Sequence, residues 1–240
     1  MFLLCIFITI CTSSYGQKRS YLFIGAEAEI LNNPEPWANI FDDYNAYHSE
    51  FDITTQQKPV MPLYVPSFMM GFKIHSWFTS FGANAHFVRY KTFASGTDFE
   101  NVAYDKEMIY YHNGLSVHLH VNWINTNYFR TGPGIGIMLD QYKMRITDNT
   151  IEEFSTTYPV DRALVLGRAY YSISFGGPKF NFDIIGFYNI PFHTLNLRTF
   201  NERLNDEYHT DYPTEELEFK PTVIGITVAI GLGSRDNYDF

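Results

Sequence analysis

The sequence predicts an all-β chain folded as an eight-stranded antiparallel up-and-down barrel that crosses a membrane. Three observations carry that expectation. Eight segments alternate with period two between bulky apolar and small or polar residues. Their connections are alternately long and short. Finally, the composition is 18% aromatic with 18 tyrosines and only 18% charged residues, which suits a surface with one apolar and one wet side.

The N-terminus comes first. Met1 to Ile10 is almost wholly apolar and is followed by Ser14 and Gly16 at the positions of a cleavage site, so residues 1–16 read as an export signal cut before Gln17. The run carries no Lys or Arg ahead of it. It is also much shorter than the roughly 20 residues of a spanning helix, which disfavours an anchor. Bulky Ile10 before Cys11 disfavours a lipoprotein signal. Both cysteines, Cys5 and Cys11, fall in this segment, so the mature chain carries no thiol. A net charge of -9 speaks against nucleic acid and against attraction to anionic lipid.

After Gly16 no stretch is apolar for 18 residues, so strands must do the crossing. Leu22, Ile24, Ala26, Ala28 and Ile30 alternate with Gly25, Glu27 and Glu29. Phe68, Met70, Phe72 and Ile74 alternate with Ser67, Met69, Gly71, Lys73 and His75. Phe81, Ala83, Ala85 and Phe87 face away from Gly82, Asn84 and His86. The fourth segment is unbroken: Leu115, Val117, Leu119, Val121 and Trp123 against Gly114, Ser116, His118, His120 and Asn122. The fifth sets Pro133, Ile135, Ile137 and Leu139 against Gly132, Gly134, Gly136 and Asp140. The sixth sets Ala169, Tyr171, Ile173 and Phe175 against Arg168, Tyr170, Ser172 and Ser174. In the seventh, Phe182, Ile184, Tyr188 and Ile190 oppose Asn181, Asp183 and Asn189, with Ile185 and Phe187 breaking the polar side. The last opposes Ile224, Ile226, Val228, Ile230 and Leu232 to Gly225, Thr227, Ala229, Gly231 and Gly233. Pro66 and Pro133 each remove a ladder donor and imply local bulges.

Long connections are expected over 31–62, 91–106, 141–162 and 191–217, and short ones over 75–79, 124–127 and 176–179. Short periplasmic turns, long outer loops and an even strand number are what an outer-membrane barrel requires. A soluble lipocalin-like barrel also alternates, with its apolar face inside. Here the polar face is rich in glycine with isolated charges, as a narrow lumen needs, and the apolar face carries no charge along the middle of the strands. Trp77, Phe78, Trp123, Tyr128, Phe129, Phe180 and Phe182 gather beside the short turns as an interfacial girdle would. The expected division is a signal at 1–16, a barrel at 17–233 and a tail at 234–240.

The signal ending before Gln17, the run Tyr128-Phe-Arg-Thr-Gly-Pro-Gly-Ile-Gly136 and the apolar last strand Val223 to Gly233 resemble the small outer-membrane barrel domains of the PorT-like sort in Gram-negative bacteria. The resemblance is architectural and covers Tyr21 to Gly233. It implies an accessory role in secretion or assembly. The chain departs from a pattern ending on its last strand, since Ser234 to Phe240 trails beyond it.

The inward set defines a lumen network of Glu27, Glu29, Lys73, His86, His112, His118, His120, Asp140, Arg168 and Asp183. Buried charges are costly unless paired, so the first reading is a plug of ion pairs and hydrogen bonds. A narrow pore or a pH-sensitive interior is the alternative. His118 and His120 share one strand face, and His86 and His112 are candidate cross-strand neighbours, yet neither pair brings Cys or carboxylate at diagnostic metal spacing, so no metal or cofactor is expected. A register placing His86 opposite His112, His120 opposite Gly132 and His112 opposite Asp140 would form a polar row. Ser116 and His118 lack an assigned acid partner, so catalysis is not expected, with a lipid-modifying enzyme held as the alternative. The first and last long connections are acidic without the spacing of a calcium loop. Trp37, Phe41, Tyr44 and Tyr47 are denser than solvation needs and suggest a loop that meets a partner. The expected role is thus interaction or assembly through outer loops, with membrane lipid and another outer-membrane or surface protein as partners.

Overall fold

The computed structural model describes residues 19–31, 64–97, 103–148, 154–159, 163–177, 179–198 and 218–235, with isolated positions at 36, 39 and 201–202. Eight long strands stand out among them: β1 (Arg19–Leu31), β2 (Tyr64–His75), β3 (Thr79–Thr97), β4 (Ala103–Val121), β5 (Phe129–Asp148), β6 (Leu164–Gly176), β7 (Phe180–Pro191) and β8 (Val223–Arg235). Each pairs antiparallel with its sequence neighbours, and β8 pairs with β1 from Leu31↔Val223 to Arg19↔Arg235, which closes the ring. Closure removes both sheet edges, the condition for a sheet to stand in hydrocarbon.

The two faces differ as period two requires. Leu22, Leu115, Ile135 and Leu232 are 66 to 73% exposed on the outside, whereas Glu27, Glu29, Lys73, His86 and Asp140 on the inside are 3% exposed or less. A solvated exterior of this kind would expose a continuous apolar band to water, so the outer face belongs against lipid. Trp77, Phe78, Trp123, Tyr128 and Phe180 are exposed beside the short turns, the place of an interfacial girdle.

The turns have visible causes. Ser76 N–H donates to Thr79 O at 2.7 Å between β2 and β3, and Thr126 N–H donates to Phe129 O at 2.8 Å between β4 and β5. Gly176 leaves β6 at φ 135°, a conformation open to glycine because it has no Cβ.

Three expectations change. The connection placed over 91–106 is mostly strand, since β3 and β4 pair out to Thr97↔Ala103. Likewise, β5 runs to Asp148, and a short strand Phe154–Pro159 pairs back onto it, so much of 141–162 is a hairpin rather than a loop. In both places polar residues keep the ladder going where apolar periodicity has ended, because backbone hydrogen bonds need no apolar face. Third, Pro66 makes no bulge: the β1–β2 register runs through Ala28↔Pro66, and Pro66 lies one residue beyond the β2–β3 ladder that begins at Ser67↔Val88. Pro133 does meet one. Between His120↔Gly134 and the pairing of Ile124 with Thr131, three residues face two, and Trp123 N–H donates to Thr131 O at 2.9 Å.

Candidate functional site

The lumen is filled by polar layers stacked along the barrel axis. In the middle, Arg168 of β6 reaches across to Glu27 of β1, with Nη2 3.2 Å from Oε1 and Nη1 3.4 Å from Oε2. Thr227 Oγ1 donates to the same carboxylate at 2.6 Å, and Arg168 Nε donates to Asn189 Oδ1 at 2.8 Å. The guanidinium lies 4.0 Å over the Phe187 ring. Phe187 had read as a break in the polar side of its strand; it is the aromatic face on which a buried cation rests.

Toward the short turns, Lys73 Nζ donates to Asp183 Oδ2 at 3.2 Å, and Ser174 and Asn181 complete that carboxylate's partners. His118 and His120 meet the Tyr170 ring edge-on, at 5.8 and 6.2 Å between centroids. Ser116 does not act with His118. Its hydroxyl donates to Asn84 Oδ1 at 2.5 Å, because the cross-strand neighbour of Ser116 is Asn84.

Toward the long connections lies the third layer, built on Glu29, His86, His112 and Asp140. His112 stands between two carboxylates: Nδ1 is 2.8 Å from Asp140 Oδ2 and Nε2 is 3.0 Å from Glu29 Oε2. His86 Nε2 lies 3.4 Å from Asp140 Oδ1. The Tyr142 ring stacks on His112 at 5.0 Å and 14°, and Tyr110 meets it edge-on at 5.8 Å. All ten residues expected in the lumen network therefore point into the barrel, in three groups rather than one.

The expected register of the third group is off by two. His86 lies opposite Gly114, His112 opposite Val88 and Tyr142, and Asp140 opposite Gly114; His120 lies opposite Gly134, not Gly132. Between β4 and β5 the turn and its bulge shift the pairing, and between β3 and β4 the register follows from a ladder that runs out to Thr97↔Ala103; parity survives because a slip of two keeps every side chain on its face. The rings still meet diagonally, across Gly114, where a Cβ would collide with the His86 ring and approach Leu139 O at 2.9 Å. Tyr110 and Tyr142 were missed, although their parity with His112 and Asp140 marked them as inward. Trp37, Phe41, Tyr44 and Tyr47 lie outside the described residues.

A closed eight-stranded barrel with an apolar exterior, an aromatic girdle and a polar interior defines a small β-barrel protein of the bacterial outer membrane. Among solved structures it is similar to Ail, the attachment invasion locus protein of Yersinia pestis, in complex with the heparin analogue sucrose octasulfate, at TM-score 0.45 and 10% identity over 91% of this chain and 99% of that one. A second Ail structure gives TM-score 0.40 with the same identity and coverage. The outer membrane protease OmpT from Escherichia coli gives 0.33 at 10% identity over 91% of this chain and 96% of its own. No protein-family model matches the chain, and no curated protein does. At such distance none of these assigns a site or an activity. One expectation is nevertheless corrected: with a protease among the matching barrels, a non-catalytic role cannot be read from the architecture.

Proposed function

We propose that the protein works at the outer end of its barrel, through its long connections, as an interaction or assembly partner of another outer-membrane or surface protein. The carrying observation is the filled lumen. Ion pairs cross it at Glu27–Arg168 and Lys73–Asp183, and the lumen cavities beside Arg168 and beside His112 measure about 20 and 10 Å³, room for about one water each. A barrel filled in this way leaves its connections and its lipid-facing side as surfaces on which a partner can act. The aromatic residues Trp37, Phe41, Tyr44 and Tyr47 of the first long connection are the contact points we assign, and membrane lipid is the partner of the apolar face. An accessory role in secretion or assembly, as the PorT-like resemblance implies, is the corresponding biological reading.

Photo-crosslinking amino acids at Trp37, Phe41, Tyr44 and Tyr47 test it in the native membrane. Discrete protein adducts are expected there, with none from the same label at Trp77 in the girdle. In planar bilayers the purified protein should conduct no steady current. Stable ion-conducting steps, or loop labels that capture nothing, would contradict the reading.

A further inference from the structure

We infer that His86, His112 and Asp140 form a binding site for a divalent transition-metal ion of the zinc type, with Glu29 positioning His112 from behind. Each of the three offers one ligand atom, and these atoms lie within 4.8 Å of one another, all in buried side chains. It is the one such grouping among the described residues.

Unused bonding capacity points the same way. His86 is fully buried, its Nδ1 has no hydrogen-bond partner, its Nε2 has only a long approach to Asp140 Oδ1, and Glu29 Oε1 accepts no hydrogen bond. Buried polar groups are normally satisfied, and an enclosed imidazole with an idle Nδ1 and an Nε2 held only by a long contact has bonding capacity left for a ligand. Its Nε2 is aimed at Asp140 Oδ1, 3.4 Å away. Zinc bonds to nitrogen and oxygen of about 2.0 to 2.2 Å place neighbouring tetrahedral ligands about 3.3 Å apart. Oδ1 of Asp140 lies 3.4 Å from His86 Nε2 and Oδ2 lies 2.8 Å from His112 Nδ1, so the two oxygens of one carboxylate each face one ring at about that spacing.

Charge adds a second reason. Glu29 and Asp140 bring two carboxylates into one layer, while Lys73 is paired with Asp183 and Arg168 with Glu27 in the layers beyond. A divalent cation balances two carboxylates with both imidazoles neutral. With Nδ1 of His112 on the metal, its Nε2–H donates to Glu29 at 3.0 Å, the carboxylate–histidine–metal relay that orients a ligand ring. Tyr142, stacked on that ring, holds it from the side. Imidazole and carboxylate without thiolate suit zinc, nickel or cupric ions rather than soft cuprous ion.

The test uses the full chain in detergent, stripped with chelator and titrated with Co²⁺, whose visible bands report coordination, and then with Zn²⁺ in competition. Wild type should bind one equivalent. His86→Gln and Asp140→Asn should weaken binding by about 100-fold or more, Glu29→Gln by about 10- to 100-fold as a positioning residue, and His193→Gln, two residues beyond the end of β7 and outside this grouping, not at all. Heat-dependent gel mobility checks that each variant is folded. Should Asp140→Asn fail to fold, His86→Gln carries the test, because the polar contact of the His86 ring is a single long approach to Asp140. Folded wild type that takes up neither ion at millimolar concentration would overturn the site, and so would a His86→Gln variant that binds as wild type does.

Discussion

Arg168 and Glu27 stand three strands apart around the barrel and meet in its centre, both shielded from solvent. Removing one member of such a pair leaves the other charge buried without compensation, at a typical cost of about 3 to 5 kcal/mol. Arg168→Met should therefore lower unfolding stability in detergent by about that amount. The double variant Arg168→Met with Glu27→Gln should lose clearly less than the sum of the two single changes. Urea titrations of all four forms measure the coupling, and simple additivity would mean the two groups do not act as a pair. Which residues face inward was legible from period two alone, Glu27 and Arg168 included. Which of them meet was not. Several registers two residues apart give the same alternation, and a contact across the lumen depends on side-chain reach, which alternation does not encode. Phe187 illustrates this: as a residue in a strand it breaks a pattern, and as a surface beneath a guanidinium it completes one.

Among the strands, β5 shows how glycine sets the lumen's capacity. A Cβ at Gly134 would overlap the Tyr170 ring, while one at Gly186, on the outside of β7, would meet nothing within 4 Å. The same change at these two positions separates the faces. Gly134→Val should displace Tyr170 and with it the layer of His118 and His120, an overpacking cost of about 1 to 3 kcal/mol or more, whereas Gly186→Val should be neutral or helpful to its strand. Recovery of the heat-modifiable form after refolding checks both, and equal yields would contradict the inward packing of Gly134. Existence and parity of all eight strands were legible, because lipid on one side and a narrow lumen on the other impose a strict alternation. Strand ends were not. Beyond the apolar band, around Lys91 to Thr97 and Gln141 to Asp148, the ladder continues with residues that follow no hydrophobic rule.

For the whole molecule the decisive division is between an outside of branched aliphatics and aromatics and an inside of layered charges. Adjacent methionines on β2 record it: Met70 is 46% exposed on the outer face, and Met69 is 2% exposed in the lumen beside Phe23 and Ala229. Methyl NMR of the unmodified protein in micelles, with a nitroxide probe confined to the lipid phase, reads both side chains at once. The methyl groups of Met70, Leu115, Ile135 and Ile137 should broaden strongly while those of Met69 and Met138 stay sharp. Broadening of Met69 together with Met70, or of Met69 alone, would contradict a closed barrel with its apolar face in lipid.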